Sequence, residues 1–292
     1  MYVVIGANGF LGSYVIKNIL EMTDEKILAV RKSSPGKDTD RVKWVFGDIS
    51  NPLFVEQLNK EHLDTSDSNK IVYLAAYHHP DLVEKNPKLA WDINVTALSR
   101  FINSVDKMEK FFYPSSDSVY GESEHGYRFK ETDPLNPVNR YGHHKCAAES
   151  IVTEYGYNIV RYPFLIAPSL APGKQHFYDT IVHTLGAGRQ IEMFKDSMRS
   201  ALDFDTAARL LIQLMENGPV PQKLNVCGDE DLSKYDIGIR IADKLRVSRD
   251  LVKPISVDNS AGIFEVKRAS STLMDNSLLK QTLGLTEIRL KL

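Results

Sequence analysis

The sequence predicts an α/β protein built on a doubly wound parallel sheet, and the first indication is a regular alternation of apolar runs and helical patterns. The runs lie at 2–5, 26–30, 42–46, 70–74, 110–114 and 157–161, and the helical patterns at 10–21, 52–60, 86–106 and 140–155. Such alternation produces right-handed βαβ crossovers, which make neighbouring strands parallel. A sheet of this class binds its ligand in a crevice at the carboxyl ends of the strands.

The second indication is a glycine-rich turn directly after the first apolar run, with GxxGxxG spacing. Glycines let the chain turn sharply and let a diphosphate approach the backbone, and the helix that follows offers free N–H groups to the anion. A strand before the turn and a helix after it therefore predict a dinucleotide site. Its predicted contacts are Gly6, Asn8, Gly9, Phe10, Leu11 and Gly12.

The rhythm of the chain changes after about residue 165, where prolines interrupt the pattern. Helical patterns continue at 175–187, 205–216 and 234–245, with a short apolar strand at 222–227. We therefore predict a sheet domain at 1–165 and a smaller region at 166–292 that covers the crevice and binds substrate. The sequence leaves open whether 205–216 packs back on the sheet.

Composition narrows the class of protein. The 292 residues carry 36 basic and 38 acidic side chains, so we expect no nucleic-acid partner. No apolar run reaches membrane-spanning length, so we expect no membrane partner. The first predicted strand begins at residue 2, so we also expect no signal peptide. Two cysteines fit a reducing cytosol, which predicts a cytoplasmic location. The neighbouring His78 and His79 lack further ligands around them, so we predict no metal site.

Basic residues at the end of the second strand bear on the choice of cofactor. The run 26–30 is followed by Arg31, Lys32, Ser33 and Ser34, with no carboxylate to bond a ribose 2′-hydroxyl. A guanidinium and an ammonium suit a 2′-phosphate, so we predict a preference for NADP(H), with NAD(H) still open. The alternative is that these are ordinary solvated charges at a strand end.

Two other strand ends supply candidate cofactor contacts. Asp48 and Ile49 follow the run 42–46, where Asp48 could accept from the adenine amino group or, equally well, cap the helix near Pro52. Ala75 and Ala76 follow the run at 70–74, and small residues there would let a flat ligand lie against the strand.

The spacing of Tyr141 and Lys145 predicts acid–base chemistry. Residues four apart share a helix face, so the phenol and the ammonium should lie side by side. A cation about 5 Å from a phenol favours the phenolate, which predicts a lowered pKa for Tyr141. Tyr141 could then exchange a proton with a substrate oxygen, and Lys145 could also hold the ribose next to the nicotinamide.

A serine-rich strand end completes the candidate site. Ser116 lies just beyond the run at 110–114, so its hydroxyl should face the crevice and donate to the reacting oxygen. A plain serine-rich turn is the alternative for Ser115 and Ser118.

With these residues in place, the chain resembles the extended short-chain dehydrogenase/reductases, the NAD(P)-dependent epimerases, dehydratases and reductases of sugar nucleotides, and most closely their dTDP-4-dehydrorhamnose reductase branch. The motifs that carry the resemblance are the glycine turn 6–12, Ser-x-x-Val-Tyr-Gly at 116–121, Tyr-x-x-x-Lys at 141–145, and the stretches 75–77, 131–134, 139–142 and 270–275. It covers most of the chain and implies a Rossmann fold for the sheet domain. Asp117 resembles the acid of the dehydratases, but the glutamate expected after it is Ser118.

The resemblance also implies roles for individual residues. Ser116, Tyr141 and Lys145 would be the catalytic triad, Asn94 a structural or ribose-side asparagine, and Pro163 a neighbour of the nicotinamide ring. The residues expected on the substrate side are Tyr77, His78, Ser116, Asp117, His176, Phe177 and Arg199. For Arg199 a diphosphate contact and a surface salt bridge both stay open.

Three functions follow as hypotheses. The leading one is an NADP-dependent oxidoreductase that reduces a keto group of a nucleotide-activated sugar, with Tyr141 as proton donor. The second is a nucleotide-sugar epimerase that retains its cofactor, and the third is a non-catalytic NADP-binding regulatory subunit. In each case the small-molecule partner is a nucleotide or nucleotide sugar, and the helices at 86–106 and 140–155 are candidates for a homodimer interface.

Overall fold

The computed structural model describes residues 1–32, 36–63, 68–106, 108–124, 126–257 and 264–292, so the predicted contacts at Ser33 and Ser34 lie outside the described residues. In chain order the elements are β1 (Tyr2–Ile5), α1 (Phe10–Met22), β2 (Ile27–Arg31), β3 (Val42–Phe46), α2 (Pro52–Leu58), β4 (Lys70–Tyr73), α3 (Pro80–Lys85), α4 (Pro87–Trp91), α5 (Ala97–Ser104), β5 (Lys110–Ser116), β6 (Arg128–Phe129), α6 (Arg140–Glu154), β7 (Asn158–Tyr162), α7 (Phe177–Gly186), β8 (Ile191–Phe194), β9 (Met198–Arg199), α8 (Phe204–Glu216), β10 (Lys223–Asn225), β11 (Leu232–Ser233), α9 (Lys234–Leu245), β12 (Val252–Ile255), β13 (Ser271–Met274) and α10 (Ser277–Leu283).

The main sheet confirms the predicted fold class. Its strand order is β10-β7-β5-β4-β1-β2-β3, and every neighbouring pair is parallel. Alternate residues of a strand point to opposite faces, and β1 shows this directly. Tyr2 and Val4 belong to the core under α1 and α8, whereas Val3 and Ile5 belong to the core under α2, α5 and α6. Both faces of the sheet are therefore covered by helices.

Residues after 166 contribute both to the main sheet with its helices and to a smaller group of strands and helices apart from it. The amphipathic helix α8 packs on α1 through side chains such as Phe204 and Leu211, and β10 extends the main sheet beyond β7. The question left open for 205–216 is thereby answered, because this segment lies on the sheet. The remaining strands β8 and β12, the small sheet β11-β9-β13-β6, and the helices α7 and α9 lie apart from the main sheet, and α7 and α9 share a separate core.

The predicted helix at 86–106 is divided. It consists of α4, a wider π-helical turn at Asp92–Thr96, and α5, and it is preceded by α3, which the sequence pattern did not predict. Pro80 and Pro87 each stand at the first position of a helix, where a missing N–H costs nothing, so each starts a new helix. In the described part of the chain, none of the helices has the length and apolar character needed to cross a bilayer.

Candidate active site

The glycine turn leaves no room for side chains at its two ends. Gly6 has a φ of +89°, and a Cβ there would lie 2.9 Å from the backbone nitrogen of Ala75. A Cβ on Gly12 would lie 2.6 Å from the carbonyl oxygen of Gly6. Because α1 starts at Phe10, the N–H groups of its first turn have no acceptor within the helix and face outward from the turn. This cradle fits the diphosphate of a dinucleotide.

The side chains of Phe10 and Leu11, between Gly9 and Gly12, pack against the hydrophobic core. The Phe10 ring lies 4.9 Å from the His176 ring and 6.2 Å from the Phe204 ring, and Leu11 also packs against the core under α1. What Phe10 and Leu11 can offer a diphosphate is therefore their backbone. Lys174 donates to the Asn8 carbonyl oxygen at 2.9 Å, which brings a cation to the turn.

At the ends of β2 and β3, two predicted cofactor residues pair with each other. Lys32 Nζ lies 2.7 Å from Asp48 Oδ2, and Asp48 Oδ1 accepts from the backbone N–H and the hydroxyl of Ser50. Partial burial opposes ionisation of Asp48, but the hydrogen bonds from Lys32 and Ser50 outweigh it and hold its pKa below the usual range. The helix-cap alternative for Asp48 is wrong, because Asn51 caps α2 by accepting from the Leu53 N–H.

Other predicted cofactor residues line the carboxyl edge of the sheet. Ala75 and Ala76 follow β4 and are half-buried, and Pro163 follows β7 directly. The Arg31 guanidinium leaves the end of β2 and lies 5.1 Å from the centre of the Trp44 ring. Ile49 is buried against the core on the α2 face.

Asn94 acts structurally in this fold. Its amide oxygen accepts from the Tyr77 N–H at 2.7 Å, and its amide nitrogen donates to the Tyr77 carbonyl oxygen at 3.0 Å. The side chain is 3 % exposed. Of the two roles left open for Asn94, the structural one accounts for its contacts, and it holds Tyr77 where the chain leaves β4.

The three predicted catalytic residues meet at one place. Ser116 ends β5, and α6 carries both Tyr141 and Lys145, with Lys145 Nζ 6.0 Å from the centre of the Tyr141 ring. The first turn of α6 approaches the strand end closely, because a Cβ on Gly142 would lie 2.5 Å from the Ser118 carbonyl oxygen. The Ser116 side chain lies close enough to Tyr141 to influence its phenol.

The predicted lowering of the Tyr141 pKa is wrong for this structure. Burial raises the pKa of Tyr141 well above its ordinary value, the Asp117 carboxylate adds to the rise, and the Ser116 side chain only partly opposes it. Lys145 has little influence because its ammonium points into the protein, to the Tyr113 hydroxyl and the Pro114 carbonyl oxygen. Burial in turn lowers the pKa of Lys145 to about 8, against the opposing charge of Glu149.

Asp117 and Arg199 bind each other instead of facing outward. Asp117 Oδ2 lies 3.4 Å from Arg199 Nε and accepts from the Thr272 hydroxyl at 2.7 Å, while Oδ1 accepts from the Ser116 hydroxyl at 3.0 Å. The terminal nitrogens of Arg199 donate to three backbone carbonyl oxygens, those of Met198, Ala269 and Ser270. In this structure these polar groups hold Ser116 and the segment around Ser270, and the substrate contacts of Asp117 and Arg199 stay predictions.

The remaining substrate-side predictions divide into structural and accessible residues. His176 caps α7 by accepting from the Tyr178 N–H at 3.3 Å, which is a structural role, and its substrate contact stays a prediction. Burial lowers the pKa of His176 to about 4. Tyr77 is half-buried beside the catalytic strand ends, and His78 is exposed.

A pair of cations near Phe177 was missed by the sequence analysis. Lys234 Nζ lies 5.4 to 5.9 Å from the ring centres of four phenylalanines, namely Phe164, Phe177, Phe194 and Phe264. Arg268 lies over the Phe264 ring and is bound to Asp81, but its buried Nη1 has no hydrogen-bond partner among the described residues. Nothing in the sequence distinguishes these two cations from the other basic residues, because only the fold brings them together.

Metal ligation has no support in the described ranges, where no group of three or more His, Cys, Asp or Glu side chains could hold an ion. The features at the carboxyl edge are the glycine cradle, Ser116 and the Tyr141–Lys145 pair. Together with the parallel sheet they define an extended short-chain dehydrogenase/reductase, a class of nicotinamide-dependent enzymes.

Comparison with known proteins gives the family. Residues 1–291 match the model of the RmlD substrate binding domain, and the chain belongs to that family. It is 26% identical over 254 residues to a probable low-salt glycan biosynthesis reductase, Agl14, of Haloferax volcanii, covering 86% of this chain and 82% of the relative. The predicted family and the prediction of an enzyme are thus confirmed.

Solved structures agree on the fold. A dTDP-4-dehydrorhamnose reductase from Bacillus anthracis in complex with NADP superposes with a TM-score of 0.76 at 20% identity, covering 98% of this chain and 94% of that one. A UDP-glucuronic acid 4-epimerase from Bacillus cereus in complex with UDP-glucuronic acid and NAD superposes with a TM-score of 0.80 at 18% identity. The match covers 99% of this chain and 94% of that one.

Proposed function

We propose that this protein is an NADPH-dependent reductase of a keto group on a nucleotide-activated sugar, similar to dTDP-4-dehydrorhamnose reductase. The observation that carries the proposal is the grouping of Ser116, Tyr141 and Lys145 at the carboxyl edge of the sheet, beside the glycine cradle. The family match and the reductase among the relatives support it.

The residues divide the chemistry of carbonyl reduction between them. A bound nicotinamide supplies the hydride. The Ser116 hydroxyl orients the carbonyl oxygen, and Tyr141 gives that oxygen a proton as the carbon becomes tetrahedral. Because burial raises the Tyr141 pKa, the phenol is protonated at neutral pH, as a proton donor must be.

Basic residues at the end of β2 support NADPH over NADH. A 2′-phosphate on the adenosine ribose needs cations at this position. Arg31, whose guanidinium is held against the Trp44 ring at the end of β2, is our candidate for the phosphate contact.

Lys234 and Arg268 support an anionic substrate. The pKa of Lys234 is lowered to about 8, first by burial and then by the charges of Arg199 and Arg268. No carboxylate among the described residues pairs with Lys234. A half-buried cation that lacks a carboxylate partner among the described residues is costly, and a diphosphate between a sugar and a nucleotide would offset that cost.

The proposal is tested by incubating the purified protein with NADPH or NADH and a panel of nucleotide-linked 4-keto sugars. We expect NADPH to be consumed in a one-to-one ratio with the reduced sugar. Tyr141→Phe should keep NADPH affinity and lose turnover by about 10² to 10⁴, the usual contribution of a positioned acid. If Tyr141→Phe turns over at the wild-type rate, the role assigned to Tyr141 is wrong.

The alternative functions give different results in the same assay. An epimerase would convert its sugar nucleotide without net loss of a tightly retained cofactor. A regulatory subunit would bind NADPH, turn over none of the sugars, and co-purify with a larger enzyme. Either result would overturn the reductase proposal.

A further inference from the structure

The Lys145 ammonium is anchored on strand β5, at the inner side of α6. Lys145 is 5 % exposed, and its Nζ donates to the Tyr113 hydroxyl at 3.0 Å and to the Pro114 carbonyl oxygen at 2.9 Å. Tyr113 is 2 % exposed and lies in the core between β5 and α6. An ammonium group has three N–H donors, so these two acceptors leave one of them.

The geometry points to Tyr113 as a positioning residue for Lys145, an inference that rests on the proposed function. With Tyr113 and Pro114 accepting two of the N–H bonds, one N–H remains to donate to the ribose of a cofactor, and Nζ lies 6.0 Å from the centre of the Tyr141 ring. The hydrogen bond to the Tyr113 oxygen also stabilises the charged ammonium in a site that otherwise disfavours charge. Tyr113 thereby keeps Lys145 both oriented and protonated at neutral pH.

The charged and titratable groups around Lys145 make Tyr113 important for its protonation. From α6, Glu149 favours the ammonium, but Glu149 is bound bidentately by the buried Arg161. A second titratable group near Lys145 is His78, in the loop after β4. The pKa of His78 is lowered first by desolvation and then by the charges of His79 and Lys145. Since no carboxylate in the described chain contacts Nζ directly, the neutral acceptors on β5 carry much of the stabilisation.

A pair of conservative variants tests the inference. Tyr113→Phe removes the hydroxyl and keeps the ring, so the Lys145 pKa should fall by about one unit, the effect of losing one hydrogen bond to a charged group. The matched control is Tyr73→Phe on the neighbouring strand β4. Tyr73 is equally buried, and its hydroxyl has no partner among the described residues, so this change should leave Lys145 unaffected.

The Lys145 pKa is read from the ¹³Cε shift of labelled lysine as a function of pH, with Lys145→Met used to assign the signal. This measurement needs neither substrate nor turnover. We expect the Tyr113→Phe curve to move to lower pH and the Tyr73→Phe curve to superpose on the wild type. Equal curves for all three proteins, or equal shifts in both variants, would overturn the inference.

Two further measurements connect Tyr113 to cofactor binding and guard against a variant that does not fold. When NADPH affinity is measured as a function of pH, its loss at alkaline pH should begin at a lower pH in Tyr113→Phe than in the wild type. The Tyr73→Phe protein should not show this change. In the unmodified protein, a nuclear Overhauser effect should join the Lys145 ε-methylene and the Tyr113 ring, because Nζ lies 4.5 Å from the ring centre. Absence of that effect overturns the inference. If the protein binds no nicotinamide but the Lys145 pKa still falls in Tyr113→Phe, the result contradicts the proposed function and leaves the inference about Tyr113 standing.

Discussion

Arg31 shows how a single side chain could set the choice between two cofactors that differ by one phosphate. It stands at the last position of β2, and its guanidinium lies over the Trp44 ring of β3, the neighbouring strand. Stacking of this kind restricts a long side chain and so reduces the entropy lost when it binds an anion. Asp48, which could otherwise favour a ribose hydroxyl nearby, is neutralised by Lys32.

At the residue scale we therefore predict that Arg31→Ala lowers the ratio of NADPH to NADH affinity by about tenfold or more, since a charge-assisted hydrogen bond to phosphate is lost. Fluorescence titration with both cofactors measures the ratio. Lys43→Ala is the control, because Lys43 is an exposed cation in the middle of β3. An unchanged ratio in Arg31→Ala would remove the support for NADP preference.

At the element scale, α7 depends on a histidine in its neutral form. His176 precedes the helix, and its ring nitrogen accepts the Tyr178 N–H, a bond that a protonated imidazole cannot accept. The pKa of His176 is about 4 in the folded protein because burial disfavours the charged ring, compared with about 6.5 in an unfolded chain. Between these values the unfolded chain binds more protons, so stability falls as the pH drops from 6.5 toward 4.

We predict that lowering the pH from 7 to 5 costs the wild-type protein about 1 to 2 kcal/mol more than it costs His176→Asn. Asparagine keeps an acceptor at the cap position but does not titrate. Urea unfolding at the two pH values measures the difference. Equal losses in both proteins would show that His176 does not couple α7 to pH.

At the scale of the whole molecule, an exposed apolar surface supports the homodimer expected through 86–106 and 140–155. Leu89 and Trp91 of α4 are 48 % and 44 % exposed, and Tyr155, just after α6, is 44 % exposed. Exposed apolar side chains on both predicted segments are stabilised when a partner covers them. The interface remains a proposal.

Light scattering after gel filtration should give a mass near twice the 33.0 kDa of one chain. Leu89→Asp should shift the protein to the monomer, because it would bury a charge without a partner. Leu53→Asp is the control, since Leu53 is 73 % exposed on α2, outside the predicted interface. A wild-type monomer at micromolar concentration would rule the interface out.

The local patterns of the chain were enough to predict much of the site. Two of these patterns are short-range: the strand–glycine–helix start at 2–12 and the four-residue spacing of Tyr141 and Lys145. In such short segments the backbone geometry alone determines where the side chains lie relative to each other. Apolar periodicity likewise located the strands of the main sheet, although a π-helical turn at Asp92–Thr96 divides the predicted helix at 86–106.

Other features depend on residues far apart in the chain. The bonds of Asp117 to Arg199 and Thr272 join three separate segments, and they give two residues predicted on the substrate side internal partners. Lys145 meets Tyr113 across 32 positions, so its predicted effect on Tyr141 is lost, and burial raises the Tyr141 pKa instead. The sequence by itself determined the fold class and the catalytic residue types, because these follow from local spacing. Only the tertiary structure decided which charges are paired and which pKa values shift, because burial and ion pairing arise when distant segments pack together.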